Sequence, residues 1–234
     1  MKALITGGTG GIGSALVRAF SQYYDVVFTY KSSEEKSLDL QKEFFCNGVR
    51  CDISDEKNVC QCACDLLKSY NYFDVIVNNA GISDIKMFSD ITPFEWKRMI
   101  DINLNGAYNV TSAFLPPMIS RKCGNIINIS SMWGIYGASC EVHYSTAKAG
   151  LIGFTKALAK ELAPSGILVN AIAPGVINTS MNKQLCEEEM NELKDKIPLG
   201  FLGNGDDVAN TALFLSQAKY ITGQVISVDG GFIG

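Results

Sequence analysis

The stretch Ala3-Leu4-Ile5-Thr6-Gly7-Gly8-Thr9-Gly10-Gly11-Ile12-Gly13 opens the 234-residue chain and organises everything that follows. Its apolar start reads as a short strand, and Gly13 to Phe20 carries small and apolar residues at helical spacing. Between them, glycine lets the backbone turn sharply and approach a ligand closely. The helix beginning near Ile12 aims free N–H groups at the same place. Strand, glycine turn and helix in that order form the setting in which a dinucleotide's pyrophosphate is held, and the spacing here is Gly7-x-x-x-Gly11-x-Gly13. A glycine cluster without those flanks would be a tight turn and nothing more.

Outward from this turn, short β-rich runs alternate with longer amphipathic stretches. Strands are predicted at Ala3–Thr6, Val26–Tyr30, Gly48–Asp52, Asp74–Asn78, Asn125–Ser130, Leu168–Ala173 and Gln224–Val228. Several are continuous apolar runs, the mark of strands covered on both faces. Helices are predicted near 12–22, 34–45, 55–70, 92–115, 141–162 and 206–217, with Asp55 and Asp206 at caps or first turns. Alternation without a Pro-, Gly- or Ser-rich linker predicts one doubly wound α/β domain over residues 1–234.

Composition narrows the function. The chain is 47% hydrophobic and 19% charged, with 20 basic and 24 acidic side chains and a net charge of −4. That balance argues against nucleic acid as a partner, which would call for a basic stripe. No apolar window reaches the length of a membrane span, and no secretory leader is apparent, so no membrane partner and a cytoplasmic location are expected. The eight cysteines are read as reduced thiols. Cys60 and Cys64 share a helical face from which Cys62 turns away, and His143 is the only histidine, so no metal site is expected.

Further motifs follow in order: Asn78-Asn79-Ala80-Gly81, Ser131, Tyr144-Ser145-Thr146-Ala147-Lys148, Pro174-Gly175 and the closing Val228-Asp229-Gly230-Gly231. Together with Thr6-Gly7-x-x-x-Gly11-x-Gly13 they resemble the short-chain dehydrogenase/reductase family over nearly the whole chain. The resemblance implies a single Rossmann-like domain with a seven-stranded parallel sheet flanked by helices, matching the strand count. It implies NAD(P)H as cofactor, held by the turn residues Gly7, Thr9, Gly10, Gly11, Ile12 and Gly13, and by Asn79, Ala80 and Gly81. Further contacts implied are Pro174, Gly175, Ile177 and Thr179, and Asp52 with Ile53 at the adenine.

The choice of nicotinamide cofactor is electrostatic. The second strand ends Thr29-Tyr30-Lys31-Ser32-Ser33, with no acid before Glu34. A cation and two hydroxyls there suit a 2′-phosphate, whereas an acid would repel one. NADP is therefore predicted over NAD, with Tyr30, Lys31 and Ser32 as contacts.

Tyr144 and Lys148 stand four residues apart on a predicted helix, hence on one face. A nearby ammonium is expected to lower the phenol's pKa, fitting Tyr144 to act as general acid or base. Ser131, at the carboxyl end of the predicted fifth strand, lies where such sheets bind ligands. The resemblance makes Ser131 a hydrogen-bond donor to the substrate oxygen, and Lys148 a ligand of the nicotinamide ribose. It makes Asn103 the holder of a water leading from Lys148 to solvent. His143 is read as a rim or surface residue, because adjacent helix positions point about 100° apart.

For substrate, the whole-chain pattern is similar to 3-oxoacyl-acyl-carrier-protein reductases, which implies a small-molecule or carrier-bound ketone. The stretch from Ser131 to Tyr144 resembles the elongation factor P 5-aminopentanone reductases, whose ketone bears an amine. Glu141 in this loop suits a cationic amine and would repel an anionic carrier; equally, it suits a helix start. The resemblance makes residues 176–200, with Met181, Met190 and the run Glu187-Glu188-Glu189, a lid. It also implies a homo-oligomer, tetramer or dimer, with Trp96, Tyr108, Phe114 and Phe154 available to interfaces or to the core. A reading of another class, a non-catalytic NADP-sensing or scaffold protein, is opposed by the intact set Asn103, Ser131, Tyr144 and Lys148.

Overall fold

The computed structural model describes residues 1–179 and 187–232. Its strands are β1 (Lys2–Ile5), β2 (Asp25–Tyr30), β3 (Asn47–Arg50), β4 (Val75–Asn78), β5 (Gly124–Ile129), β6 (Ile167–Pro174) and β7 (Val225–Val228). They form one sheet in the order β3-β2-β1-β4-β5-β6-β7, with every pairing parallel. Each predicted strand is present, with ends moved by at most two residues. The architecture is a single Rossmann-like α/β domain.

Nine helices flank the sheet among the described residues: α1 (Gly11–Phe20), α2 (Glu34–Phe44), α3 (Glu56–Tyr70), α4 (Pro93–Ile100), α5 (Gly106–Arg121), α6 (Trp133–Tyr136), α7 (Val142–Leu162), α8 (Glu187–Asp195) and α9 (Gly205–Gln217). Side chains of a strand alternate between two faces, and both faces are apolar here. Ala3 and Ile5 of β1 join Leu16 and Phe20 of α1, Leu40 of α2 and Leu215 of α9. Leu4, between them, joins Val59 of α3, Phe114 of α5 and Leu162 of α7 on the other face. The strands read as continuous apolar runs because both faces are covered.

Polar residues set the helix starts. The Asp55 carboxylate accepts the N–H groups of Lys57 and Asn58 at 2.9 and 3.2 Å, capping α3 as the sequence suggests. Asn204 and Asp207 bond each other's backbone at the start of α9.

The structure corrects the helix predicted at 92–115. A π-helical turn at Asp101–Asn105 separates α4 from α5, and α5 runs on through Pro116 and Pro117 to Arg121. The short α6 and the helix α8 lie outside the predicted set. Within 176–200, residues 180–186, Met181 among them, and the side chains of Glu187 and Glu189 lie outside the described residues. Among the described residues no helix is long and apolar enough to cross a membrane.

Candidate active site

Chain order reverses between β1 and β4, and at such a switch point the loops leaving the carboxyl ends of neighbouring strands part to form a crevice. Here the crevice is a cavity of about 1090 Å³. The glycine turn after β1, the Asn79-Ala80-Gly81 segment after β4, Ser131 after β5 and Pro174-Gly175 closing β6 all line it. So do Tyr30, Lys31 and Ser32, Asp52 and Ile53, Ile177 and Thr179, and the set Asn103, Glu141, Tyr144 and Lys148. Residues spread from 7 to 179 thus meet around one space.

One end of the cavity is built for phosphate. Gly7 adopts φ of +68°, a left-handed conformation that favours glycine. The N–H of Gly10 donates to the Gly7 carbonyl at 3.1 Å, closing the turn. A Cβ at Gly13 would stand 2.0 Å from that carbonyl oxygen, so only glycine lets α1 start this close. Asn79 ties the turn to the end of β4: its Nδ2 donates to the carbonyls of Thr6 and Gly7 at 2.9 and 3.2 Å. The Thr6 hydroxyl accepts the N–H groups of Asn79 and Ala80, each at 3.0 Å. The first turn of α1 has no side-chain cap and no acidic residue. Its free N–H groups and positive dipole end therefore suit an anion, and the cradle fits a dinucleotide's pyrophosphate.

At the rim, Lys31 Nζ lies 2.5 Å from Asp52 Oδ2. Burial pushes the Asp52 carboxyl upward, but hydrogen bonds from Lys31 and Ser54 outweigh it and leave the pKa below the usual carboxylate value. The guanidinium of Arg50 donates to the Lys31 carbonyl at 3.2 Å, bringing a second cation to this edge.

The other end of the cavity carries acid–base groups. Tyr144 and Lys148, one turn apart on α7, are 8% and 4% exposed. Ser131 and Tyr144 both line this end, and Ser131 acts on the phenol by favouring its ionised form. The Ser131 Oγ accepts the Trp133 N–H at 3.1 Å, while Ser130 turns away and donates to the Lys148 carbonyl at 2.9 Å. Lys148 Nζ donates to the Ile129 carbonyl at 2.9 Å and lies 5.7 Å from the centre of the Tyr144 ring.

The ionisation of this pair departs from expectation. Burial raises the Tyr144 pKa to about 12; Ser131 pulls the other way and Glu141 adds to the rise. Burial alone lowers Lys148 to about 8. The ammonium points to the Ile129 carbonyl rather than the phenolic oxygen, so the predicted lowering of the tyrosine pKa does not occur in this arrangement.

Asn103 sits in the π-helical turn with its side chain buried. Its Oδ1 accepts the Ile82 N–H at 3.2 Å, and its Nδ2 donates to the carbonyls of Ile82 and Met99 at 2.9 and 3.1 Å. A Cβ placed on Gly81 would lie 2.5 Å from Asn103 Oδ1 and 3.3 Å from Lys148 Nζ. Both polar groups therefore border the same small space. Glu141 flanks the cavity at the start of α7; burial raises its pKa to about 7, opposed by a hydrogen bond from the Trp133 side chain.

His143 corrects the sequence reading: it is 0% exposed, off the cavity, with neither ring nitrogen hydrogen-bonded. The start of α7 packs against α4 there, so position 143 faces protein rather than water. Sequence reasoning also passed over cavity-lining Arg98, Trp133, Glu192, Leu193 and Lys196. Glu192 and Lys196 stand four apart, a spacing that would have put both on one helical face, but α8 itself had not been predicted.

The family model described as "Enoyl-(Acyl carrier protein) reductase" matches residues 7–233. The 3-oxoacyl-[acyl-carrier-protein] reductase FabG of Aquifex aeolicus is 40% identical over 237 residues, covering 98% of this chain and 96% of that protein. The corresponding FabG of Thermotoga maritima is 38% identical, with the same coverage. The "Uncharacterized oxidoreductase YmfI" of Bacillus subtilis is 39% identical over 236 residues and covers 98% of each chain. With its switch-point cavity, its glycine cradle and this likeness along its whole length, the chain belongs to the short-chain dehydrogenase/reductase family of NAD(P)H-dependent oxidoreductases.

Proposed function

We propose that the protein is a cytosolic, NADPH-dependent carbonyl reductase similar to 3-oxoacyl-acyl-carrier-protein reductases. The observation that carries the reading is the gathering of Ser131, Tyr144 and Lys148 on the wall of the cavity that the phosphate cradle also lines. The family model's description names an enoyl reductase and the FabG relatives a 3-oxoacyl reductase. Two adjoining hydroxyls polarise an oxygen, so they favour the carbonyl.

When bound, the nicotinamide supplies hydride to the carbonyl carbon. Ser131 donates a hydrogen bond to the carbonyl oxygen and fixes its position. Tyr144 gives that oxygen its proton; with a pKa of about 12 the phenol is loaded with a proton at any physiological pH. To stabilise the phenolate that remains, the Lys148 ammonium turns from the Ile129 carbonyl toward the phenol, and its pKa of about 8 lets it pass a proton onward near neutrality. Asn103, beside the space shared with Lys148 Nζ, positions the return path for that proton. Lys31 and Arg50 favour a 2′-phosphate at the outer end, with Ser32 beside them.

Tyr144→Phe tests this directly. It should lower kcat by about 10³-fold while nucleotide affinity is retained. Near-normal turnover on a panel of ketones would remove the assignment.

Glu141 favours a second reading of the substrate, a ketone bearing an amine as in the elongation factor P 5-aminopentanone reductases. With a pKa of about 7, the carboxylate gains charge as pH rises through neutrality. On this reading KM for an amino-ketone falls between pH 6 and 8, KM for a neutral ketone stays flat, and Glu141→Gln erases the difference. Equal pH profiles for the two ketones would leave only the carrier-bound substrate.

A further inference from the structure

Cys51 follows β3 immediately before Asp52, is 5% exposed, and lines the nucleotide end of the cavity. Cys62 lies on α3. The Asn58 side chain, one turn earlier on that helix, accepts the Asp52 N–H at 2.7 Å and fastens α3 to the end of β3. Residues four apart share a helical face, so the anchor that holds Asp52 also brings Cys62 against Cys51. Both cysteines belong to one apolar cluster with Ile53 and Val59. Cys60 and Cys64, by contrast, are exposed.

We propose that Cys51 and Cys62 form an oxidisable thiol pair whose closure to a disulfide loosens the adenine end of the nucleotide site. The oxidant is a peroxide. The neighbouring Cys51 thiol favours the Cys62 thiolate, although burial and Asp65 oppose it. The neighbouring Cys62, together with burial, keeps Cys51 protonated. The Cys62 thiolate attacks one peroxide oxygen, the O–O bond breaks, and hydroxide leaves behind a sulfenic acid. Cys51 then attacks the Cys62 sulfur, the S–O bond breaks, and its oxygen departs with the Cys51 proton as water. In sum two thiols and one hydrogen peroxide give one disulfide and two waters. A covalent bond between the sulfurs is shorter than any non-bonded contact between them, so closure draws the end of β3 toward α3 and shifts Asp52 and Ile53. The Lys31–Asp52 pair moves with them.

The regulatory effect rests on the proposed occupancy of this cavity by NADP(H), whereas the crosslink does not. The test therefore begins with NADPH binding by the fully reduced chain; failure there refutes the function and with it the regulatory effect. Stoichiometric hydrogen peroxide is then added, and peptides are mapped by mass spectrometry without reduction. The expected result is a Cys51–Cys62 crosslinked peptide lacking two hydrogens, with NADPH affinity about tenfold weaker and restored by dithiothreitol. Cys62→Ser should bind NADPH like the reduced chain and ignore peroxide, whereas a Cys60→Ser, Cys64→Ser double variant should respond like the parent. Oxidation confined to Cys60, Cys64 or Cys123, a crosslink without change in affinity, or an unaltered peroxide response in Cys62→Ser would each overturn the proposal.

Discussion

Among the described residues, Lys148 is a cation held inside the protein by one carbonyl and no carboxylate. Its only hydrogen bond among the described residues goes to Ile129, and burial alone lowers its pKa from 10.5 to about 8. Between those two values the unfolded chain binds more protons than the folded one, so stability rises with pH across that window. Below pH 8 both states are protonated and the burial penalty, about 3 kcal/mol, acts in full. Tyr144 has the opposite sign: its pKa of about 12 keeps a proton that the unfolded chain loses from about pH 10, so stability declines from there upward. Lys148→Met removes the penalty but leaves the Ile129 carbonyl without its charged donor, a loss of about 2 kcal/mol. The variant should therefore melt about 2–4 °C higher at pH 7, with the gain shrinking toward pH 10. Catalysis should be lost in the same variant. Thermal melts at several pH values check this, and a lower melting temperature at pH 7 would show that the buried charge is not a net cost.

At the scale of elements, the π-helical turn between α4 and α5 carries the most information. Asn103 bonds both backbone groups of Ile82, 21 residues earlier in the chain. An asparagine side chain competes with the helix for backbone partners, and here the wide turn lets it reach across to the segment after β4. Asn103→Ala would leave the half-buried N–H and carbonyl of Ile82 without their side-chain partner, at a cost of about 3 kcal/mol. The melting temperature should fall by about 6–12 °C, and kcat should fall further than the melting loss explains. A variant that melts like the parent would mean that water replaces both bonds. Asn103 itself was legible as a residue because it sits in a recognisable Asn103-Leu104-Asn105-Gly106 run. The break in the helix was not, because its cause is a partner distant in sequence. The seven strands were legible for the reverse reason: a parallel strand buried on both faces writes its environment into its own residues, as Val75-Ile76-Val77 does. The burial of His143 and the ionisation of Tyr144 depend on what packs around them, which spacing along α7 does not encode.

At the scale of the whole molecule, the distribution of apolar surface predicts self-association. Of the four aromatics with a choice between core and interface, Phe114 belongs to the core, Trp96 and Phe154 are half-buried, and Tyr108 on α5 is 56% exposed. A Cβ on Gly153, beside Phe154 on α7, would meet nothing within 4 Å, so the outer face of that helix is open to close approach. Among the described residues β7, at the sheet's edge, pairs only with β6. Its side chains are incompletely buried, and Tyr220 stands out nearby beside Ile221. An unpaired edge and an open helical face are separate surfaces, and using each around its own two-fold axis closes a tetramer. The expectation is a tetramer at micromolar concentration. Tyr108→Asp places a charge in the helical contact alone, so it should halve the mass while the β7 contact persists and far-UV circular dichroism stays unchanged. Light scattering across a dilution series reads both states: a parent chain that remains monomeric would refute the assembly, and a tetramer indifferent to Tyr108→Asp would move the contact off α5.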